Sequence, residues 1–311
     1  MRKARTILIL VTSLILTACS THPAESESTE TTEETTKLTI GFVETTVDDT
    51  IEREFSKVKY EIGEPEIIMP EAGAESGNRR DAVFFRDGMQ INAAITTPEG
   101  KGPFKTIIIS GGLYSRLGRY TSKAEEYCKK GYVVIEFDFI NGEPPPSYAD
   151  PEYIGDFIFE QILDLNAVLD ESKLLPQVDT DNIYLYGHSM GGLVASYVGT
   201  QRQDDLKGLI LVDPSFYATA LMEFEGEQTI TTDINMLIGY CDIPVVIITG
   251  TTGSFGEDPH FFDEQLRAFP DCEFVIIEGA NHRMDGMAGK QVVERSDEVL
   301  KNWGYEYSLR K

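Results

Sequence analysis

From residue 104 onward the apolar positions switch between two periods. Thr106 to Ile109, Tyr132 to Phe139, Asp181 to Tyr186, Leu209 to Val212, Ile243 to Thr249 and Phe274 to Glu278 are short apolar runs rich in β-branched or aromatic residues. Such runs predict buried strands. Between them, apolar residues recur at helical spacing over Tyr120 to Lys130, Tyr153 to Leu174, Leu193 to Val198, Phe261 to Phe269 and Val292 to Trp303. Gly131 stops the first of these helices, and the second stops before Pro176. Strand and helix alternating in this way predict a mainly parallel sheet with helices on both faces. Ahead of it, residues 80 to 97 read as a hairpin turning at Arg86-Asp87-Gly88-Met89, and Ile67 to Met69 as a short strand. Asn141 to Pro151 carries Pro144-Pro145-Pro146 and reads as a stiff loop. Phe216 to Gly239 is too apolar for an open loop and reads as partly helical, a small cap over about 216–239.

The first residues follow a different pattern. Arg2, Lys3 and Arg5 precede an apolar run from Ile7 to Leu16, which is short for a bilayer span. The run closes on Leu16-Thr17-Ala18-Cys19 and resembles the bacterial lipoprotein signal. That resemblance implies removal of residues 1–18, lipidation of Cys19, and a domain held at the extracytoplasmic face of the cell membrane. Residues 19–37 are dominated by Ser, Thr and Glu, have almost nothing to bury, and predict a disordered tether. The folded domain is then residues 38–311, the size of one large domain. The chain has 311 residues and a formal net charge of −25. That charge speaks against nucleic acid or an anionic membrane surface as a partner. A small uncharged or cationic molecule suits it better.

Ile183 to Tyr186 runs into Gly187-His188-Ser189-Met190-Gly191, and the helical spacing starts at Leu193. A strand that turns straight into a helix leaves its middle residue strained and exposed, and flanking glycines make room for the turn. Ser189 is therefore the candidate nucleophile. The N–H of Met190, at the helix start, is a candidate donor to a developing oxyanion. Ser110-Gly111-Gly112-Leu113 follows the 106–109 strand and offers a second donor, assigned to Gly112 with Leu113 as the alternative. Only His22, His188, His260 and His282 can serve as a base. His22 falls in the tether, His188 leaves the turn in another direction, and His260 starts a helix. His282, just after the last strand, is the candidate. The loop after the 243–249 strand offers Glu257 and Asp258 as the orienting acid. Asp258 is preferred for its shorter side chain and for Pro259 beside it. Glu257 is the alternative, and Asp213 a remoter one.

Ser, then acid, then His, strand by strand from about 80 to 303, resembles the α/β-hydrolase family. The resemblance implies an eight-stranded, mostly parallel sheet, a cap ahead of the acid strand, and hydrolysis of an ester or amide through an acyl-enzyme. The substrate expected is a small ester, or a short peptide; the remaining alternative is a lipid-tethered binding protein that keeps the fold without turnover. The chain departs from the family pattern where Ser110 replaces a frequent His before the oxyanion glycine. It departs again where Gly253 occupies the usual place of the acid. Four Cys at unrelated spacings give no zinc pattern, and no metal or cofactor is expected. Cys241 and Cys272 each precede a strand, which leaves a disulfide or two buried thiols equally open.

Overall fold

The computed structural model describes residues 9–10, 42–43, 60–68, 78–140, 151–214, 217–222, 228–233, 241–252 and 272–310. The chain divides into two units, Met1–Lys57 and Val58–Lys311. In the first, β1 (Ile9–Leu10) pairs antiparallel with β2 (Phe42–Val43). The second holds a nine-stranded sheet. Its strands are β3 (Glu66–Ile67), β4 (Arg79–Arg86), β5 (Met89–Thr96), β6 (Phe104–Ser110), β7 (Val133–Phe137), β8 (Val178–His188), β9 (Gly208–Val212), β12 (Val245–Thr252) and β13 (Cys272–Asn281). A separate two-stranded ribbon pairs β10 (Tyr217–Met222) with β11 (Gln228–Asp233).

The order across the sheet is β13-β12-β9-β8-β6-β7-β5-β4-β3. From β13 to β7 every neighbouring pair is parallel. The β5–β7, β4–β5 and β3–β4 pairs are antiparallel. The expected eight strands are thus nine, because a two-residue edge strand joins the hairpin side. The hairpin forms as expected, since Asp87 and Gly88, both at positive φ, supply the two-residue turn.

After β6 the chain builds β7 on one side, then crosses back to place β8 on the other. This reversal leaves a crevice outside the carboxyl ends of β6 and β8. Ile107, Ile108, Ile109, Ile183, Leu185, Leu209, Ile210 and Leu211 are almost fully buried, as strands covered on both faces require. Four α-helices belong to this unit among the described residues: α1 (Thr121–Lys129), α2 (Pro151–Ser172), α3 (Met190–Gln201) and α4 (Gly286–Arg310). α2 begins at Pro151, where the missing N–H costs nothing.

One expectation changes here, and one open question closes. Residues 217–222 and 228–233 are strands rather than helix. Thr229, Thr231 and Thr232 crowd a helix at the side chain and suit a pleat. Cys241 and Cys272 are free thiols, as is Cys128. Burial pushes the Cys241 thiol up to about 11. The helix expected over 261–269 lies outside the described residues.

Candidate active site

β8 pairs through Gly187 and His188 with Leu211 and Val212 of β9, and through Gly187 with Ser110 of β6. The ends of three strands therefore meet around Ser189. Ser189 caps α3 with φ 55 and ψ −124, a strained conformation for a residue with a side chain. The turn is tight because its glycines allow it. A Cβ on Gly187 would lie 2.5 Å from Gly191 O, and one on Gly191 would lie 2.2 Å from Ser110 O. The elbow expected from the sequence is thus in place, pressed against the β6 turn.

His282 follows the end of β13, and its Nε2 lies 3.0 Å from Ser189 Oγ. Its Nδ1 lies 2.5 Å from Asp213 Oδ2. An ionised carboxylate only accepts, so Nδ1 carries the hydrogen and Nε2 presents a lone pair to the serine hydroxyl. The Asp213 side chain is 3% exposed and that of His282 is 29% exposed. The imidazole is therefore reachable while the carboxylate is not.

The acid expected from the sequence was Asp258, with Glu257 as alternative. Both lie outside the described residues, and the nitrogen assigned to them is taken by Asp213. Register explains the correction. Asp213 stands one residue beyond Val212, which pairs with His188 on one side and with Ile248 on the other. It takes φ 40, and its N–H donates to Ile248 O at 2.7 Å. Meanwhile β12 does not turn toward the site after Thr249. Its ladder runs on until Thr252 pairs with Asn281, and Thr252 Oγ1 donates to Ala280 O at 2.8 Å. A Cβ on Gly250 would sit 2.2 Å from Ala280 O, so the two strands close on each other there. The available sequence signal was Asp213-Pro214 directly after an apolar strand.

The oxyanion assignment also changes in part. Met190 is the first residue of α3, and the first N–H groups of a helix have no carbonyl one turn back. The Gly112 N–H instead donates to Tyr120 Oη at 2.9 Å, inside the protein. Leu113 is the next N–H in that turn. Gly112 also contributes space: a Cβ there would be 3.0 Å from Ser189 Cβ and would crowd it.

His188 does leave the elbow in its own direction. Its Nε2 lies 2.7 Å from His282 O and its Nδ1 2.9 Å from Tyr120 Oη. Its ring lies over that of His282, with centroids 4.8 Å apart. Burial holds it down at about 4. Arg119, beside Tyr120, bonds Asp285 at 2.7 Å and Arg283 O at 3.3 Å. Lys123 lies beneath the Tyr120 ring, and burial pushes it down to about 8. Among the described residues, no group of three or more His, Cys, Asp or Glu is placed to hold a metal ion.

Residues 101–238 match the family model described as serine aminopeptidase, S33. Est1E from Butyrivibrio proteoclasticus superposes with a TM-score of 0.55 at 18% identity, covering 73% of this chain and 100% of that one. A dienelactone hydrolase, described as putative, from Klebsiella pneumoniae gives 0.55 at 14%, covering 78% and 99%. DcsB, solved with a substrate analogue, gives 0.54 at 16%, covering 78% and 99%. No curated protein matches the sequence.

The fold is that of the α/β hydrolases. Identities this low carry the fold alone. On this fold the three side chains come in the order Ser189 after β8, Asp213 after β9 and His282 after β13.

Proposed function

We propose that this protein is a serine hydrolase that cleaves a small carboxylic ester through an acyl-enzyme. One observation carries the reading: Ser189, His282 and Asp213 form a single hydrogen-bonded line, with steps of 3.0 and 2.5 Å. A nucleophile, a base within reach and an acid that orients the base are what acyl transfer needs. His282 Nε2 takes the hydroxyl proton as Ser189 Oγ attacks the carbonyl carbon. Asp213 fixes the ring tautomer and stabilises the imidazolium. The N–H groups of Met190 and Leu113 hold the oxyanion. Collapse expels the alcohol, which receives the proton from His282. Water then attacks the acyl-enzyme, loses a proton to His282, and releases the acid while Ser189 regains its hydrogen.

The second reading is a peptidase of the same fold, favoured by the match of residues 101–238 to a serine aminopeptidase model. Est1E is described with bound ferulic acid, which favours the ester. A screen of p-nitrophenyl esters against aminoacyl anilides separates the two. The ester reading expects turnover of short-chain esters well above that of any anilide. Anilides cleaved faster than every ester would overturn it. A small acyl group is proposed because residues 216–239 would cap the site. Long-chain esters hydrolysed faster than short ones would contradict that. The setting proposed is the outer face of the cell membrane, with a lipid on Cys19 and residues 20–37 as tether.

A further inference from the structure

We infer that Tyr120 and His188 are positioning residues that lock the oxyanion turn to the loop carrying His282 through one directional hydrogen-bond path. The inference rests on the hydrolase reading above. None of the four catalytic steps uses either side chain, yet both are buried against the reacting groups. Tyr120 is 4% and His188 6% exposed.

The direction of every bond follows from the partners. The His282 carbonyl can only accept, so His188 Nε2 carries a hydrogen and donates to it across 2.7 Å. Burial keeps His188 neutral near pH 7, so its Nδ1 is a bare acceptor. Tyr120 Oη, 2.9 Å away, therefore donates to Nδ1. That leaves the tyrosine oxygen as an acceptor. It takes the Gly112 N–H at 2.9 Å and the Ser115 hydroxyl at 3.1 Å.

The path consequently begins on both sides of Leu113 and ends on the backbone of the catalytic base. Two supports run beside it. The Ser115 N–H closes the turn onto Gly112 O at 3.0 Å, and Arg119 joins the same segment to Arg283 and Asp285. The Gly112 N–H is withheld from substrate so that the next one is aimed. His188 sits one residue before the nucleophile but acts on the base, through its main chain.

Aiming matters only as charge develops on the carbonyl oxygen, so loosening the path should slow the chemical step and spare substrate binding. The test is a double-mutant cycle in the full chain, with kcat and KM measured on the best ester or anilide and thermal unfolding measured on the same samples. Tyr120→Phe and His188→Phe should each lower kcat by about 10- to 100-fold and leave KM within about threefold. Because both break one path, the double variant should be within about twofold of the slower single variant. His188→Gln keeps a donor and an acceptor on one planar group and should recover most of the lost kcat.

Tyr120→Phe within about threefold of unaltered kcat, losses that multiply in the double variant, or an effect confined to KM would each overturn the inference. So would His188→Gln performing no better than His188→Phe. If His188→Phe does not fold, Tyr120→Phe and His188→Gln decide the matter by the same criteria. An unaltered chain that turns over no ester or anilide and takes no fluorophosphonate would remove the hydrolase reading, and this inference with it.

Discussion

Asp213 sits at a φ of 40, almost wholly buried, with its carboxylate against His282 and Pro214 behind it. A side chain held in that conformation costs about 1–3 kcal/mol, and the surroundings must enforce it. Neutralising it keeps the shape and removes the charge that the imidazolium needs. Asp213→Asn should therefore lower kcat by about 10³- to 10⁴-fold, while Asp258→Asn and Glu257→Gln stay within about twofold. Side-by-side turnover of the three variants checks this. At this scale the placement of Ser189, Met190 and His282 at one end of the sheet is legible in the sequence because each lies just beyond an apolar strand. Asp213 stood in the same relation to its own strand. It ranks behind Asp258 and Glu257 in the sequence because the alignment of strand ends across the sheet, which brings β9 beside the elbow, is not a property of local sequence.

His188 makes a pH prediction. Burial moves it from 6.5 down to about 4. Between those values the unfolded chain binds a proton that the folded chain does not, so stability falls as pH drops through this window. Lys123 and His282 repel a charge there and Asp213 attracts one. The contribution is on the order of 3 kcal/mol. Denaturant unfolding between about pH 7 and pH 4.5 should show this slope, and His188→Gln should remove it.

Among the elements, β6, β8 and β9 stood out in the sequence because strands covered on both faces are nearly continuous apolar runs. The hairpin β4–β5 stood out through Asp87-Gly88. The ribbon of β10 and β11 did not, since an apolar stretch of that length reads equally well as strand or helix. Nor did the attachment of the hairpin to α2. Arg86, 2% exposed, pairs with Asp164 at 2.8 Å and with Glu160 at 2.6 Å. Asp164 also accepts the Ile140 N–H at 2.9 Å. These long-range pairs bind β4 to α2. Arg86→Ala would leave the buried Asp164 carboxylate without its cation and should cost about 3–5 kcal/mol. Denaturant unfolding measures it, and a change within about 0.5 kcal/mol would contradict this role.

Across the whole molecule, the net charge of −25 and the Ser/Thr/Glu stretch after Cys19 describe a domain that repels an anionic surface. A lipid would then be needed to hold it at one. Cys19→Ala is expected to release the protein from the membrane fraction, and mass spectrometry of the mature chain reads the modification directly. An unmodified first residue other than Cys19 would exclude the anchor. Cys128, Cys241 and Cys272 are all expected to react as free thiols under denaturing, non-reducing conditions.

The central claim is that Ser189 is a nucleophile activated by His282 and Asp213. A fluorophosphonate reacts with such a serine and not with an ordinary one, so labelling the full chain and locating the adduct by peptide mass spectrometry tests the claim most directly. The account predicts a single adduct on Ser189, absent in Ser189→Ala and strongly slowed in His282→Ala and Asp213→Asn. No adduct on the folded chain, or an adduct on another residue that persists in Ser189→Ala, would contradict it.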